Sequence, residues 1–363
     1  MTDTLTILEG DCVEQLRTLP DESVQCVVTS PPYYGLRDYK ITGQIGLEPS
    51  PDEYVKKLVA CFQEVRRVLK SDGTVWLNLG DSYNCSVKGG NPSDSQHNKQ
   101  QSNRGSEELV RSKRIGQGSG RWGMGNNCVP GLKPKDLIGI PWRVAFALQA
   151  DVWWLRSDII WNKPNPMPES VTDRPTRAHE YIFLMTKSAK YFYDYEAIKE
   201  TPSPEFIQQI EEGYNGQAVK DYLGMGVQDA SKTKARIING YRNRIDKQRG
   251  HSRRHAGFND KWDALTPAEQ ALCGRNKRSV WTVAPANFRG AHFATFPIEL
   301  IKPCLLAGSK ANDVVLDPFG GSGTTAFAAL ELGRKAVTIE LNPDYVKLIK
   351  QRCAKAQPPL IAA

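Results

Sequence analysis

The sequence predicts an α/β fold: a mostly parallel sheet flanked by helices and interrupted by a basic insertion. Three observations carry this. An apolar run over 24–28, an amphipathic stretch over 52–69 and a second apolar run over 74–79 make a strand-helix-strand unit, and short connections of this kind imply parallel strands with right-handed crossovers. A second such unit lies far down the chain. There Val314-Val315-Leu316-Asp317 runs through Pro318-Phe319-Gly320-Gly321-Ser322-Gly323 into a helix-forming run over 326–332, then into the strand Lys335-Ala336-Val337-Thr338-Ile339-Glu340. Between the two units, residues 201–272 break the rhythm.

Taken in order, Leu5 to Leu8 read as a short strand closing on Glu9-Gly10-Asp11, and 12–19 has helical spacing. Asp11 is placed to cap that helix. The strand 24–28 ends in Thr29-Ser30-Pro31-Pro32-Tyr33-Tyr34, residues for which a packed strand has no use. Two consecutive prolines fix both φ angles and donate no N–H, so the backbone leaves the sheet stiffly with its carbonyls free to accept. A serine oxygen and a proline carbonyl on such a ledge suit an NH2 group, and a tyrosine ring suits a flat heterocycle. Taken alone, the hexapeptide reads equally well as a Pro-Pro loop with two surface tyrosines.

The polar, glycine-dotted stretch 35–47 is expected to be a loop that closes over substrate. The helix 52–69 carries apolar residues at Tyr54, Val55, Leu58, Val59, Phe62, Val65 and Leu69, and Ser71-Asp72-Gly73 turns it into the strand 74–79. From 86 to about 125 the composition collapses to Gly, Ser, Asn, Gln, Lys and Arg, which cannot build a core. A helix over 135–149 and a strand over 153–161 follow, and Asn162-Lys163-Pro164-Asn165-Pro166-Met167-Pro168 leaves the strand as a proline-locked loop. His179-Glu180 reads as a structural hydrogen-bond pair ahead of strands at 181–186 and 191–193. Within 231–254 nine Lys and Arg face the single acid Asp246, with Tyr241 among them, a pattern suited to phosphate neutralisation. A helix over 298–306 precedes the second unit, and another runs from about 341 to 352.

The glycine turn between strand and helix is built for a ligand to approach backbone closely, and an acid at the end of the next strand is placed to take both hydroxyls of a ribose. The net charge of +8 and pI near 9.0 fit a polyanionic partner. Eight scattered cysteines without a Cys-x-x-Cys pair argue for reduced thiols, with neither disulfide framework nor metal site. No run of eighteen apolar residues and no basic-then-apolar leader is present, so a cytoplasmic chain without membrane association is expected.

Ser30-Pro31-Pro32-Tyr33 with Asp317 to Gly323 resembles the S-adenosylmethionine-dependent DNA amino-methyltransferases, in the permuted order where the catalytic motif precedes the cofactor motif. The resemblance runs from about Leu5 to Arg352 and is weakest over 86–130 and 201–246. It implies a Rossmann-like methyltransferase fold, S-adenosylmethionine as cofactor and base flipping from double-stranded DNA. Ser30, Pro31, Pro32 and Tyr33 would be catalytic. Asp11, Phe293, Thr295, Asp317, Phe319, Gly320, Gly321, Ser322, Gly323 and Glu340 would hold the cofactor, Asp11 at its adenine end and the segment around Phe293 at its methionine end. Asn165 and Arg236, Arg242, Arg244, Arg249, Arg253 and Arg254 would meet the DNA. The Pro303-Cys304 pair echoes the nucleophile of cytosine C5 enzymes, but its place in a helix ahead of the cofactor strand makes it a buried core cysteine.

The expected organisation is a catalytic domain in three pieces, 1–85, 130–200 and 275–363, the last carrying the cofactor site. A flexible insertion occupies 86–129 and a target-recognition region 201–274. Ser-Pro-Pro-Tyr after Val28-Thr29 is the family variant associated with N4 of cytosine, with N6 of adenine as the alternative. An RNA or protein methyltransferase and an inactive DNA-binding relative are the remaining readings. A homodimer and a cognate restriction endonuclease are partners such an enzyme can have, and neither is specified by the residues.

Overall fold

The computed structural model describes residues 4–36, 38–84, 129, 131–166, 168–202, 273–285 and 296–357. Two compact units divide the chain, one of Met1–Asp194 with Arg278–Ala363 and one of Tyr195–Lys277. The first holds an eight-stranded sheet. Its strands are β1 (Leu5–Glu9), β2 (Val24–Thr29), β3 (Leu69–Leu79), β4 (Trp154–Asn162), β5 (His179–Thr186), β6 (Val280–Thr282), β7 (Val314–Asp317) and β8 (Lys335–Glu340), in the spatial order β1-β8-β7-β2-β3-β5-β4-β6. Every neighbouring pair is parallel except those of β5, which runs against both β3 and β4.

The helices are α1 (Cys12–Arg17), α2 (Pro51–Val68), α3 (Ile140–Ala150), α4 (Ile298–Gly308), α5 (Thr324–Glu331) and α6 (Pro343–Cys353). Leu16 of α1, Tyr54, Leu58, Phe62 and Val65 of α2 and Val144 and Leu148 of α3 share one buried cluster with Val27, Val75 and Leu77 of the sheet. The alternate residues of the same strands face the other way, where a side chain on Gly308 of α4 would strike Thr74, Cys26 and Trp76. All six residues of β2 are buried, as expected for a central parallel strand covered on both faces.

Local chemistry sets most boundaries. The Ser50 hydroxyl accepts from Glu53 N at 3.3 Å, Pro51 opens α2, Asp52 and Glu53 sit in its first turn and Arg66 and Arg67 in its last. A capping hydroxyl, an early proline and charges that oppose the helix dipole all favour a helix starting and stopping there. Three expectations need correction. Ser71-Asp72-Gly73 is not a turn between elements but an irregular stretch inside β3, where the register against β2 shifts between Val24 and Cys26. The helix expected from 135 begins at Ile140, because Lys135 and Gly139 both take left-handed φ and Asp81 caps the chain at Gly139. Residues 191–193 form no strand. They carry no regular secondary structure, Phe192 N donating to Asp72 O at 2.8 Å and Asp194 N to Ala307 O at 2.9 Å.

Of the second unit, the described residues hold a 3-10 turn at Glu196–Ile198 and a two-way backbone bridge between Glu200 and Arg275, at 2.9 and 3.1 Å. The expected insertion over 86–129 lies outside the described residues save Val129, as does the basic stretch over 231–254. No helix among the described residues is long and apolar enough to cross a membrane.

Candidate active site

β2 and β7 lie side by side, Cys26 opposite Val315 and Val27 opposite Leu316, so both strands deliver their carboxyl ends to one place. Two side chains tie those ends together. Thr29 Oγ1 donates to Asp317 Oδ1 at 2.6 Å, and Thr325 Oγ1 at the start of α5 donates to Val28 O at 3.1 Å. The Pro-Pro ledge and the glycine turn, almost three hundred residues apart in sequence, therefore wall a single cleft. Such a crevice outside the carboxyl ends of parallel strands is where open α/β sheets take ligands. Ser30 to Tyr33 line it from one side, Asp317 to Ser322 with Glu340 from the other, Asp11 from the end of β1, and Leu36, Tyr39 and Ile41 from the loop after the ledge. That loop was expected over the site, and its base is closed by Gly35 N donating to Gly46 O at 2.7 Å.

At the glycine turn a buried and a half-buried carboxyl stand close to backbone. Asp317 is 3 % exposed, its Oδ1 accepting from Thr29 and, at 3.1 Å, from Phe319 N. Burial pushes its pKa up to about 7, the hydrogen bonds opposing that shift. Glu340 accepts from Gly321 N at 2.6 Å and Asn342 N at 2.8 Å, and burial raises its pKa as well. Gly320 is required by close approach, since a Cβ there would lie 2.2 Å from Thr338 Oγ1. Asp11 Oδ1 caps α1 through Val13 N at 2.9 Å and Glu14 N at 3.1 Å, and the residue also lines the cleft. Gly323 does not line it. Its left-handed backbone instead turns the chain into α5.

This donor and acceptor set fits S-adenosylmethionine. Two carboxyls suit a ribose diol and a cationic amino group, the Phe319 ring suits a neighbouring sulfonium, and a turn without side chains lets a nucleoside lie against backbone. Phe293 and Thr295 lie outside the described residues, whereas Phe296, just beyond them, lines the cleft.

On the ledge side, Tyr33 is held by its hydroxyl. Oη lies 2.7 Å from Glu180 Oε2, 3.0 Å from Asn78 Oδ1 and 3.4 Å from Ser30 Oγ, which donates to it. Glu180 is in turn paired with Lys163, whose ammonium sits 4.3 Å from the centre of the Trp161 ring. Burial first, then the negative charge of Glu180, drives the Tyr33 pKa well above the ordinary phenol value, so the hydroxyl keeps its proton. Of the two proline carbonyls expected to be free, that of Pro32 is taken by the Tyr54 hydroxyl at 2.9 Å.

The reading of His179-Glu180 as a mutual pair is also corrected. His179 packs edge-on to the Tyr181 ring at 5.4 Å, while Glu180 reaches the ledge. Asn165 is exposed in the loop after β4 and does not line the cleft. Arg236, Arg242, Arg244, Arg249, Arg253 and Arg254 lie outside the described residues. Cys304 is buried in α4 with its thiol 3.7 Å from Leu300 O, in keeping with a core cysteine.

Sequence reasoning missed Asn78, Lys163 and Arg352. The Arg352 guanidinium donates to Ser322 O, Ser322 Oγ and Thr324 Oγ1 at 3.2, 3.1 and 2.9 Å, bracing the turn from α6. The one signal in the sequence was a polar Asn78 inside the otherwise apolar run 75–79.

Comparison with known proteins agrees with this geometry. A family model described as DNA methylase, of the N6/N4 class, matches residues 24–351. The type II methyltransferase M.Cfr9I of Citrobacter freundii is 43% identical over 347 residues, covering 96% of this chain and 87% of the relative. Among solved structures, the protein TTHA0409 of Thermus thermophilus, complexed with S-adenosyl-L-methionine, shares 21% identity and a TM-score of 0.51, over 98% of this chain and 95% of that one. The PvuII DNA methyltransferase (cytosine-N4-specific) shares 18% identity and a TM-score of 0.53, over 96% and 88%. At those identities the two structures establish the Rossmann-like methyltransferase fold alone. With the motif pair joined in one cleft and the family model spanning both, the chain belongs to the N6/N4 DNA methylases, the S-adenosylmethionine-dependent DNA amino-methyltransferases.

Proposed function

We propose that the chain methylates the exocyclic N4 of cytosine at a specific site in double-stranded DNA, on a base turned out of the helix. The observation that carries this is the ledge Ser30-Pro31-Pro32-Tyr33 held against Asp317 through Thr29. An exocyclic amino group is a poor nucleophile because its lone pair is delocalised into the ring. Ser30 Oγ and the Pro31 carbonyl, each accepting one amino hydrogen, would turn that lone pair out of conjugation, and Tyr33 would stack on the base. Bound S-adenosylmethionine would supply a methyl on a sulfonium: the amino nitrogen would form the new N–C bond as the C–S bond breaks, the sulfur leaving as a neutral thioether and one amino proton being released. The chain then needs no covalent nucleophile, and its contribution is positioning.

On the cofactor side, Asp11, Asp317, Phe319, Gly320, Gly321, Ser322 and Glu340 would hold the donor, with Phe293 and Thr295 extending the set. Cytosine is favoured by the serine that opens the tetrapeptide after Val28-Thr29. The basic stretch over 231–254, within a target-recognition region over 201–274, would neutralise phosphates, and Asn165 would hydrogen-bond the flipped base or its phosphate. The type II naming of the curated relative supports a place beside a cognate restriction endonuclease in a bacterial cytoplasm. Mass spectrometry of nucleosides from host DNA expressing the protein tests the reading: N4-methylcytosine is expected, and N6-methyladenine in its place would overturn the choice of base.

A further inference from the structure

We infer that Glu180, fixed by Lys163, is a positioning residue for the transfer: through the Tyr33 hydroxyl it commits the Ser30 hydroxyl to accept from, not donate to, the target amino group. This rests on the proposed role of Ser30 as an acceptor, and no motif reading assigns Glu180 such a part. The argument follows the protons. Tyr33 has one hydroxyl hydrogen and two acceptors within reach, Glu180 Oε2 at 2.7 Å and Asn78 Oδ1 at 3.0 Å. The closer acceptor is also the charged one, and charge-assisted bonds are the stronger. With its proton given to Glu180, the Tyr33 oxygen presents lone pairs to Ser30, whose own hydrogen turns toward it across 3.4 Å. The lone pairs of Ser30 Oγ are then left for the cleft, which Ser30 lines. A serine hydroxyl free to rotate would spend part of its time pointing a hydrogen at the amino group, a repulsive arrangement for a donor.

The anchors of this chain are fixed independently of substrate. Lys163 pairs with Glu180 and lies over Trp161, and Asn78 Nδ2 donates to Tyr181 O at 3.0 Å, so strands β3, β4 and β5 each supply one support. The Tyr33 ring has its own seat. A Cβ at Gly80 would stand 2.5 Å from its Cε2, so the ring lies directly over a residue that must lack a side chain.

The test is steady-state transfer of labelled methyl to duplex DNA by the full chain, comparing wild type, Glu180→Gln, Tyr33→Phe and the double variant, with cofactor affinity measured by calorimetry. Glu180→Gln is expected to lower kcat about 10- to 100-fold, with cofactor Kd and KM for DNA nearly unchanged. Tyr33→Phe should match it. The double variant should be no worse than Tyr33→Phe, because the two act in series. A kcat for Glu180→Gln within about twofold of wild type, or losses that multiply in the double variant, would overturn the inference. Should Glu180→Gln not fold, Tyr33→Phe decides, an unchanged kcat overturning it. A wild-type product of N6-methyladenine would defeat the cytosine reading and leave this inference standing; full-rate synthesis of N4-methylcytosine by Glu180→Gln would do the reverse.

Discussion

Asp317 is where residue-scale electrostatics becomes measurable. Its carboxyl has an ordinary pKa of 3.8 and burial carries it to about 7, so between those values the folded chain holds a proton that the unfolded chain has released. The folded state is thus favoured most below pH 4 by this group, and that advantage is lost as pH rises through 7. Relative to Asp317→Asn, which cannot titrate, wild type should lose up to about 4 kcal/mol of stability across this range. Urea unfolding of both proteins at pH 5 and pH 8 checks it; parallel pH dependences would show that Asp317 is not held neutral. Asp317, Ser30 and Tyr33 were legible in the sequence because their chemistry is written in adjacent residues. Glu180 and Lys163 were not, and Asn78 showed only as a polar residue in an apolar run, since Glu180 meets Tyr33 across 147 positions and nothing local marks an acid at a strand start as reaching a distant hydroxyl.

The glycine turn shows how one element constrains another. A methyl at Gly320 would collide with Thr338 Oγ1 on β8, a hydroxyl that is buried without a hydrogen-bond partner among the described residues. Gly320→Ala should therefore cost about 1–3 kcal/mol in chemical denaturation, as overpacking does. Removing the hydroxyl with Thr338→Ala should restore part of that loss, and an additive double variant would contradict the geometry. Asp81, at the end of β3, accepts from Gly139 N and Ile140 N, each at 2.9 Å, and so caps α3 from a distant strand. Asp81→Ala should destabilise the protein by about 1–2 kcal/mol, read by thermal or urea unfolding, and no loss would show the cap to be idle. Element identities were largely legible from periodicity and capping, as in α2. The start of α3 was not, because its cap is non-local. The reversed direction of β5 was not either, since among the described residues no helix lies between β4 and β5 to dictate a parallel return.

For the whole molecule, charge and order of motifs carry the account. If Arg242, Arg244 and Arg249 neutralise phosphates, replacing all three with alanine should lower the slope of log affinity against log salt by about 3. An unchanged slope would remove the basic stretch from the DNA contact. The joining of the two distant motifs in one cleft was foreseeable from their chemistry, whereas the basic stretch proposed to meet the DNA lies outside the described residues and is known by its composition alone. The central claim is that the β2 ledge and the β7 turn form one methyl-transfer site, with Ser30 aligning the amino group. It is tested most directly by Ser30→Ala, comparing labelled-methyl transfer to duplex DNA with DNA and cofactor binding. The account predicts transfer reduced at least about 100-fold with both affinities retained. A variant that transfers methyl at the wild-type rate would contradict it.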